Sequence, residues 1–190
     1  MFRLFVAIAL PEDVRTRLDL ICAGVPGARW IEPESMHLTL RFIGEVPGDL
    51  AEDIDAALLQ VSAPAFDLVL SGVDSFQSGG KVHTLWTGAA KQPLLVHLRD
   101  KVESALVRAG CEPERRKFKP HVTLARFRNP DSGRIAAFIQ RHNPLSIGPF
   151  EVAAFTLFRS HLGGQQPHYE ALVDYPLLPA RDRAQAAQAG

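Results

Sequence analysis

Two short runs, MHLTLRF at 36–42 and PHVTLAR at 120–126, constrain the fold of this chain more than any other feature. A β-strand turns successive side chains to opposite faces. His37 and Thr39 therefore share one face of a strand while Leu38 and Leu40 share the other, and His121 and Thr123 repeat the arrangement. One such tetrapeptide is satisfied by an ordinary half-exposed strand. Here the second follows the first by 84 residues, and Phe150-Glu151 follows Phe66-Asp67 by the same 84. The apolar positions Val14, Leu18 and Cys22 of one helical pattern map in the same way onto Leu98, Val102 and Leu106 of another. The chain thus carries an internal duplication whose period is too long, and whose copies are too few, for a solenoid.

Periodicity places a strand at 2–9 and a helix from Pro11 to about Ala23, with Pro in the first turn and Glu12 and Asp13 at the positive end of the helix dipole. The MHLTLRFI strand follows. A second helix at 49–61 sets Leu50, Ile54, Leu58 and Val61 on one face, and strands at 66–75 and 81–88 are joined by Ser78-Gly79-Gly80. The order then recurs: helix 93–109, the HVTLARF strand, a short helix at 131–142, and strands at 149–159 and 168–174. The expected class is α+β, with two pseudo-symmetric lobes, each an antiparallel sheet with helices on one side, and a cleft between them. Residues 1–179 are expected to form one bilobal domain, and 180–190, with little to bury, a flexible tail.

Lys plus Arg and Asp plus Glu each number 21, so the net charge is zero and broad electrostatic adhesion to long nucleic acid is excluded. A grip on the end of an anionic substrate is not. Cys22 and Cys111 are too few for a disulfide framework and lack metal-motif spacing, which fits a reducing cytoplasm. The opening FRLFVAIAL is too short an apolar run for a membrane span and ends at Pro11-Glu12-Asp13, so it reads as a buried strand rather than a leader.

If the two His-Thr strands face one cleft, two imidazoles and two hydroxyls converge on it from opposite sides. In-line displacement at phosphorus needs a proton removed at one apex and delivered at the other, with donors for the non-bridging oxygens. The basic run RRKFKPHVTLARFR at 115–128 supports an anionic ligand. Arg126, five residues after His121, reaches the histidine face only through a bulge or the strand's end.

The paired His-x-Thr-x motifs, FRLFVAIALP, HLTLRFIGEV and PHVTLAR resemble the 2H phosphoesterase superfamily, specifically its RNA 2',3'-cyclic phosphodiesterases, also called 2'-5' RNA ligases. The resemblance implies hydrolysis of a terminal 2',3'-cyclic phosphate to a 2'-phosphate, with His37 as proton donor and His121 as proton acceptor. It also implies an aromatic and an arginine near the terminal base, for which Phe42 or Phe76 and Arg126 are the matching residues, beside Thr39 and Thr123 as phosphate donors. No cofactor and no metal are expected; the partners are RNA termini or small cyclic-phosphate nucleotides, without a membrane, and the expected state is a monomer. Of the other histidines besides His83, His97 in a helical pattern and His142 at a helix end read as structural or solvated, while His161 and His168, which flank LGGQQP, either edge the cleft or face water. The alternatives are another cyclic phosphate, such as a cyclic nucleotide or an ADP-ribose cyclic phosphate, and an RNA-end binding module without turnover.

Overall fold

The run FRLFVAIA forms β1 (Phe2–Ala9), and Leu4 to Ile8 are all buried because this strand is covered on both faces. In the computed structural model, residues 1–163 and 168–179 are described, so the expected 180–190 tail lies outside them. After β1 come α1 (Glu12–Asp19), a two-residue β2 (Arg29–Trp30) and β3 (His37–Val46). Next are α2 (Gly48–Leu59), β4 (Phe66–Ser78), β5 (Lys81–Ala89) and α3 (Pro93–Arg108). The described chain ends with β6 (His121–Arg126), α4 (Ser132–His142), β7 (Ser146–Val152), β8 (Ala154–His161) and β9 (His168–Pro176).

The strands form one antiparallel sheet in the order β7-β4-β5-β6-β3-β1-β8-β9, with β2 paired to β6. Its two halves meet where β3 and β6 pair at a single position, Leu38 opposite Val122. They exchange chain: β4 follows α2 but pairs with β5 and β7 in the second half, and β8 follows β7 but pairs with β1 in the first. Beneath the sheet Leu38, Leu40, Val122 and Leu124 share one core with Val14 and Leu18 of α1 and Leu95, Leu98, Val102 and Leu106 of α3. The helical stripes read from the sequence are the faces that make it.

Three local features differ from the periodicity. The first helix closes at Asp19 rather than Ala23, because Ile21 and Cys22 donate their backbone N–H groups three residues back, to Leu18 and Asp19, and tighten the exit. The apolar run expected as one strand at 149–159 is two, β7 and β8, separated at Ala153 and placed in opposite halves of the strand order. The sequence pattern had not singled out β2.

The strands that carry the motifs both contain a bulge. Val6 pairs with Arg41 and Ala7 with Thr39, which leaves Leu40 over; Leu85 pairs with Ala125 and Trp86 with Thr123, which leaves Leu124 over. Strict alternation therefore breaks at the fourth residue of each motif. Leu40 and Arg41 are both buried, as are Leu124 and Ala125, and the next residue, Phe42 or Arg126, returns to the face of the histidines.

Candidate active site

The single Leu38–Val122 pair and its antiparallel sense set His37 across from Thr123 and Thr39 across from His121, on the face away from the core. His37, Thr39, His121, Thr123 and Arg126 line one enclosed cavity of about 120 Å³ together with Ile31, Ser35 and Tyr169. Another groove, between β4 and α4, is roomier at about 630 Å³ but holds no histidine.

Each imidazole is anchored in the same way. His37 Nδ1 lies 2.8 Å from the Ser35 carbonyl, and His121 Nδ1 lies 2.7 Å from the Lys119 carbonyl. A carbonyl only accepts, so each Nδ1 donates, and Nε2 is left to exchange a proton with a ligand. The surroundings differ. His37 sits among aromatic rings, 4.8 Å from Phe5, 5.0 Å from Tyr169 and 6.0 Å from Phe158 between centroids. Burial there pushes its pKa down to about 4, with the His121 and Arg126 charges adding to the effect and the Ser35 carbonyl opposing it. His121 packs edge-on to Phe76 at 4.9 Å and against Trp86 at 5.8 Å. Its pKa is also lowered, first by burial and then by the Lys119 and Arg126 charges, against the Lys119 carbonyl bond.

The bulge at Leu124 brings Arg126 into the cavity lining. Phe76 is a wall of His121. Phe42 occupies the equivalent place in β3, but it is 38% exposed, lies outside the cavity lining, and has the Arg3 guanidinium 5.0 Å above its ring. Tyr169 and Ile31 carry no local signal in the sequence. Tyr169 comes from β9, whose approach depends on the sheet order, and Ile31 directly follows the short strand β2.

The remaining histidines stand apart from the cavity: His97 is on α3, His142 ends α4, His83 bonds Thr84 Oγ1 at 3.0 Å, and His161 Nε2 meets Glu170 Oε2 at 2.7 Å in the β8–β9 hairpin. Among the described residues no group of three or more His, Cys, Asp or Glu side chains could hold a metal ion. Burial raises both thiols, Cys22 to about 12. No helix of the described residues is long and apolar enough to cross a membrane.

Two histidines, each anchored through Nδ1, two threonines and an arginine thus line one small cavity across the centre of an antiparallel sheet. The sequence profile of the 2'-5' RNA ligase superfamily matches residues 13–164, and the chain belongs to that family. It is 31% identical over 175 residues to an RNA 2',3'-cyclic phosphodiesterase of Archaeoglobus fulgidus, covering 90% of this chain and 97% of the relative. The corresponding protein of Aeropyrum pernix is 32% identical over 162 residues, covering 84% and 92%. Among solved structures, TT0787 of Thermus thermophilus superposes with a TM-score of 0.78 at 27% identity, covering 94% of this chain and all of that one. LigT of E. coli, complexed with 3'-AMP, superposes at 0.75 and 25% identity, covering 93% and 98%.

Proposed function

We propose that the chain hydrolyses RNA ends bearing a 2',3'-cyclic phosphate to 2'-phosphate ends. The observation that carries this reading is the convergence of His37, Thr39, His121, Thr123 and Arg126 on one cavity. His121 Nε2 takes a proton from water as its oxygen forms a bond to phosphorus, the P–O3' bond breaks, and His37 Nε2 delivers its proton to the departing O3'. The product keeps phosphate on O2'. Thr39 and Thr123 donate to the non-bridging oxygens, and Arg126 balances their charge. A 5'-hydroxyl in place of water would give a 2'-5' linkage by the same route, which accounts for ligation as a side reaction. The relatives' name and the nucleotide bound by LigT support an RNA-end substrate.

In this reading the chain is a single bilobal domain over residues 1–179, acts as a cytoplasmic monomer, and needs no metal. The test is product analysis in EDTA of a short RNA ending in a 2',3'-cyclic phosphate, with the parent, His37→Ala and His121→Ala. The parent should yield a 2'-phosphate, and each variant should be slower by about a hundred- to ten-thousand-fold. A 3'-phosphate product would reverse the stated regiochemistry, and no product from the parent would sink the reading in favour of another cyclic phosphate or of binding alone.

A further inference from the structure

The cavity is too small for more than a phosphate and part of a sugar, since pockets that enclose a whole small ligand run to roughly 300 Å³ or more. The rest of an RNA end must lie along its rim. There the short strand β2 pairs with β6 so that Arg29 stands directly opposite Arg126 and Trp30 opposite Ala125. Cross-strand partners share a face, so Arg29 is on the face of the catalytic histidines beside the arginine that lines their cavity. Alternation along β2 agrees: Trp30 packs its ring 5.6 Å from Phe138 of α4, on the core side, which turns Arg29 the other way. The register is held by the Ile31 N–H donating to the Leu124 carbonyl at 2.8 Å.

Like charges on directly opposite residues disfavour a strand pair, and an anion beside them would offset that. Among the described residues neither Arg29 nor Arg126 has a carboxylate or hydrogen-bond partner. Arg41, Arg99 and Arg116 each do. Among the described residues no carboxylate offsets the two like charges, which stand at the mouth of the cavity.

We propose that Arg29 forms a second anion subsite at the rim of the cavity, holding the phosphodiester one step 5' of the terminal ribose while Arg126 serves the terminal phosphate. The inference rests on the RNA-end reading above and deepens it: the preferred substrate class is an oligonucleotide of two or more residues, not a nucleoside cyclic phosphate. It adds one contact only, so length beyond the dinucleotide gains little. Guanidinium suits the subsite because its planar fork meets two phosphate oxygens at once.

The experiment compares kcat/KM for adenosine 2',3'-cyclic phosphate and for the dinucleotide ApA ending in the same group, in the parent, Arg29→Gln and Arg29→Lys. The parent should favour the dinucleotide by about tenfold, the contribution of one charge-assisted contact. Arg29→Gln should bring that ratio close to one, and Arg29→Lys should retain part of it. Because the ratio is taken within each variant, a loss of folded protein cancels. An unchanged ratio in Arg29→Gln, a parent ratio of one, or equal losses on both substrates would each overturn the subsite. If the parent turns over neither compound, the hydrolytic reading fails by itself. The same ratio measured calorimetrically as affinity for adenosine 2'-phosphate and ApA 2'-phosphate then decides the subsite.

Discussion

Position by position, β3 reads His-Leu-Thr-Leu-Arg-Phe and β6 reads His-Val-Thr-Leu-Ala-Arg. The first four places are alike in chemistry and in structure, including the carbonyl anchor two residues before each histidine and the bulge at each fourth residue. The last two differ. On the core side β3 has Arg41 where β6 has Ala125, and on the face of the histidines it has Phe42, outside the cavity lining, where β6 has Arg126 within it. What is duplicated holds an imidazole and a hydroxyl in place; what has diverged gives the cavity a guanidinium from β6 with no counterpart from β3. Catalysis that moves a proton in one direction needs that inequality, since two identical half-sites would serve acid and base roles equally.

The largest expected effects come from separating those roles. A general acid matters only when the leaving group needs a proton. With a phosphodiester whose leaving group is a nitrophenolate, His37→Ala should lose less than tenfold, against about a hundred-fold or more on the cyclic phosphate. His121→Ala should lose similar factors on both. The reverse pattern would exchange the acid and the base and overturn the direction assigned here.

Next is the core-side difference. Arg41 is 8% exposed, its Nε lies 2.6 Å from Glu103 Oε2 on α3, and its other nitrogens donate to the carbonyls of Phe42 and Glu112. Glu103 in turn accepts from the Glu114 N–H at 2.8 Å. Together they tie the 111–114 segment, which leads into β6, to β3. Arg41→Ala would make β3 resemble β6 at this place but leave Glu103 without its ion, at a cost of about 3 kcal/mol in urea denaturation. A change below about 1 kcal/mol would mean that the pair is not what joins the halves here. Smaller again is the effect of the hydroxyls: Thr39→Val and Thr123→Val should each lower kcat by about tenfold, the value of one hydrogen bond to a charged oxygen. If only one of them does, the phosphate sits unevenly between the halves.

Much of this was legible in the sequence because a strand's period of two exposes polar pairs on apolar runs. His37, Thr39, His121 and Thr123 were readable for that reason, and the stripes of α1 to α3 were readable from the helical period. Arg126 needed the bulge, and a bulge is fixed by which partner residues bond across the strands, not by the strand's own order. The same holds for Tyr169, for Arg29 on the two-residue β2, and for the exchange of β4 and β8 between the halves. Each depends on the sheet order, and no local pattern encodes it.

The smallest effect bears on the direction of proton flow. In the unliganded protein His37, deepest among rings, is the harder of the two to protonate. A cyclic phosphate brings one negative charge and favours one added proton on the pair. A charge beside only one imidazole biases where that proton goes: the Lys119 ammonium lies 4.6 Å over Trp86 and 5.4 Å over Phe76, the rings that wall His121. The equivalent residue beside His37 is the uncharged Ser35. Arg126 disfavours protonation of both histidines, and no acidic side chain lines the cavity to offset either cation. Lys119 therefore disfavours a proton on His121, the imidazole that the proposed mechanism uses as the acceptor. In Lys119→Gln the His121 resonance should titrate about half a pH unit higher in NMR, the size of one partly screened charge nearby, with His37 little moved. The acid limb of kcat/KM should move upward in the same direction, and Lys119→Arg should restore both. Unmoved titrations would place the inequality of the halves in their rings alone.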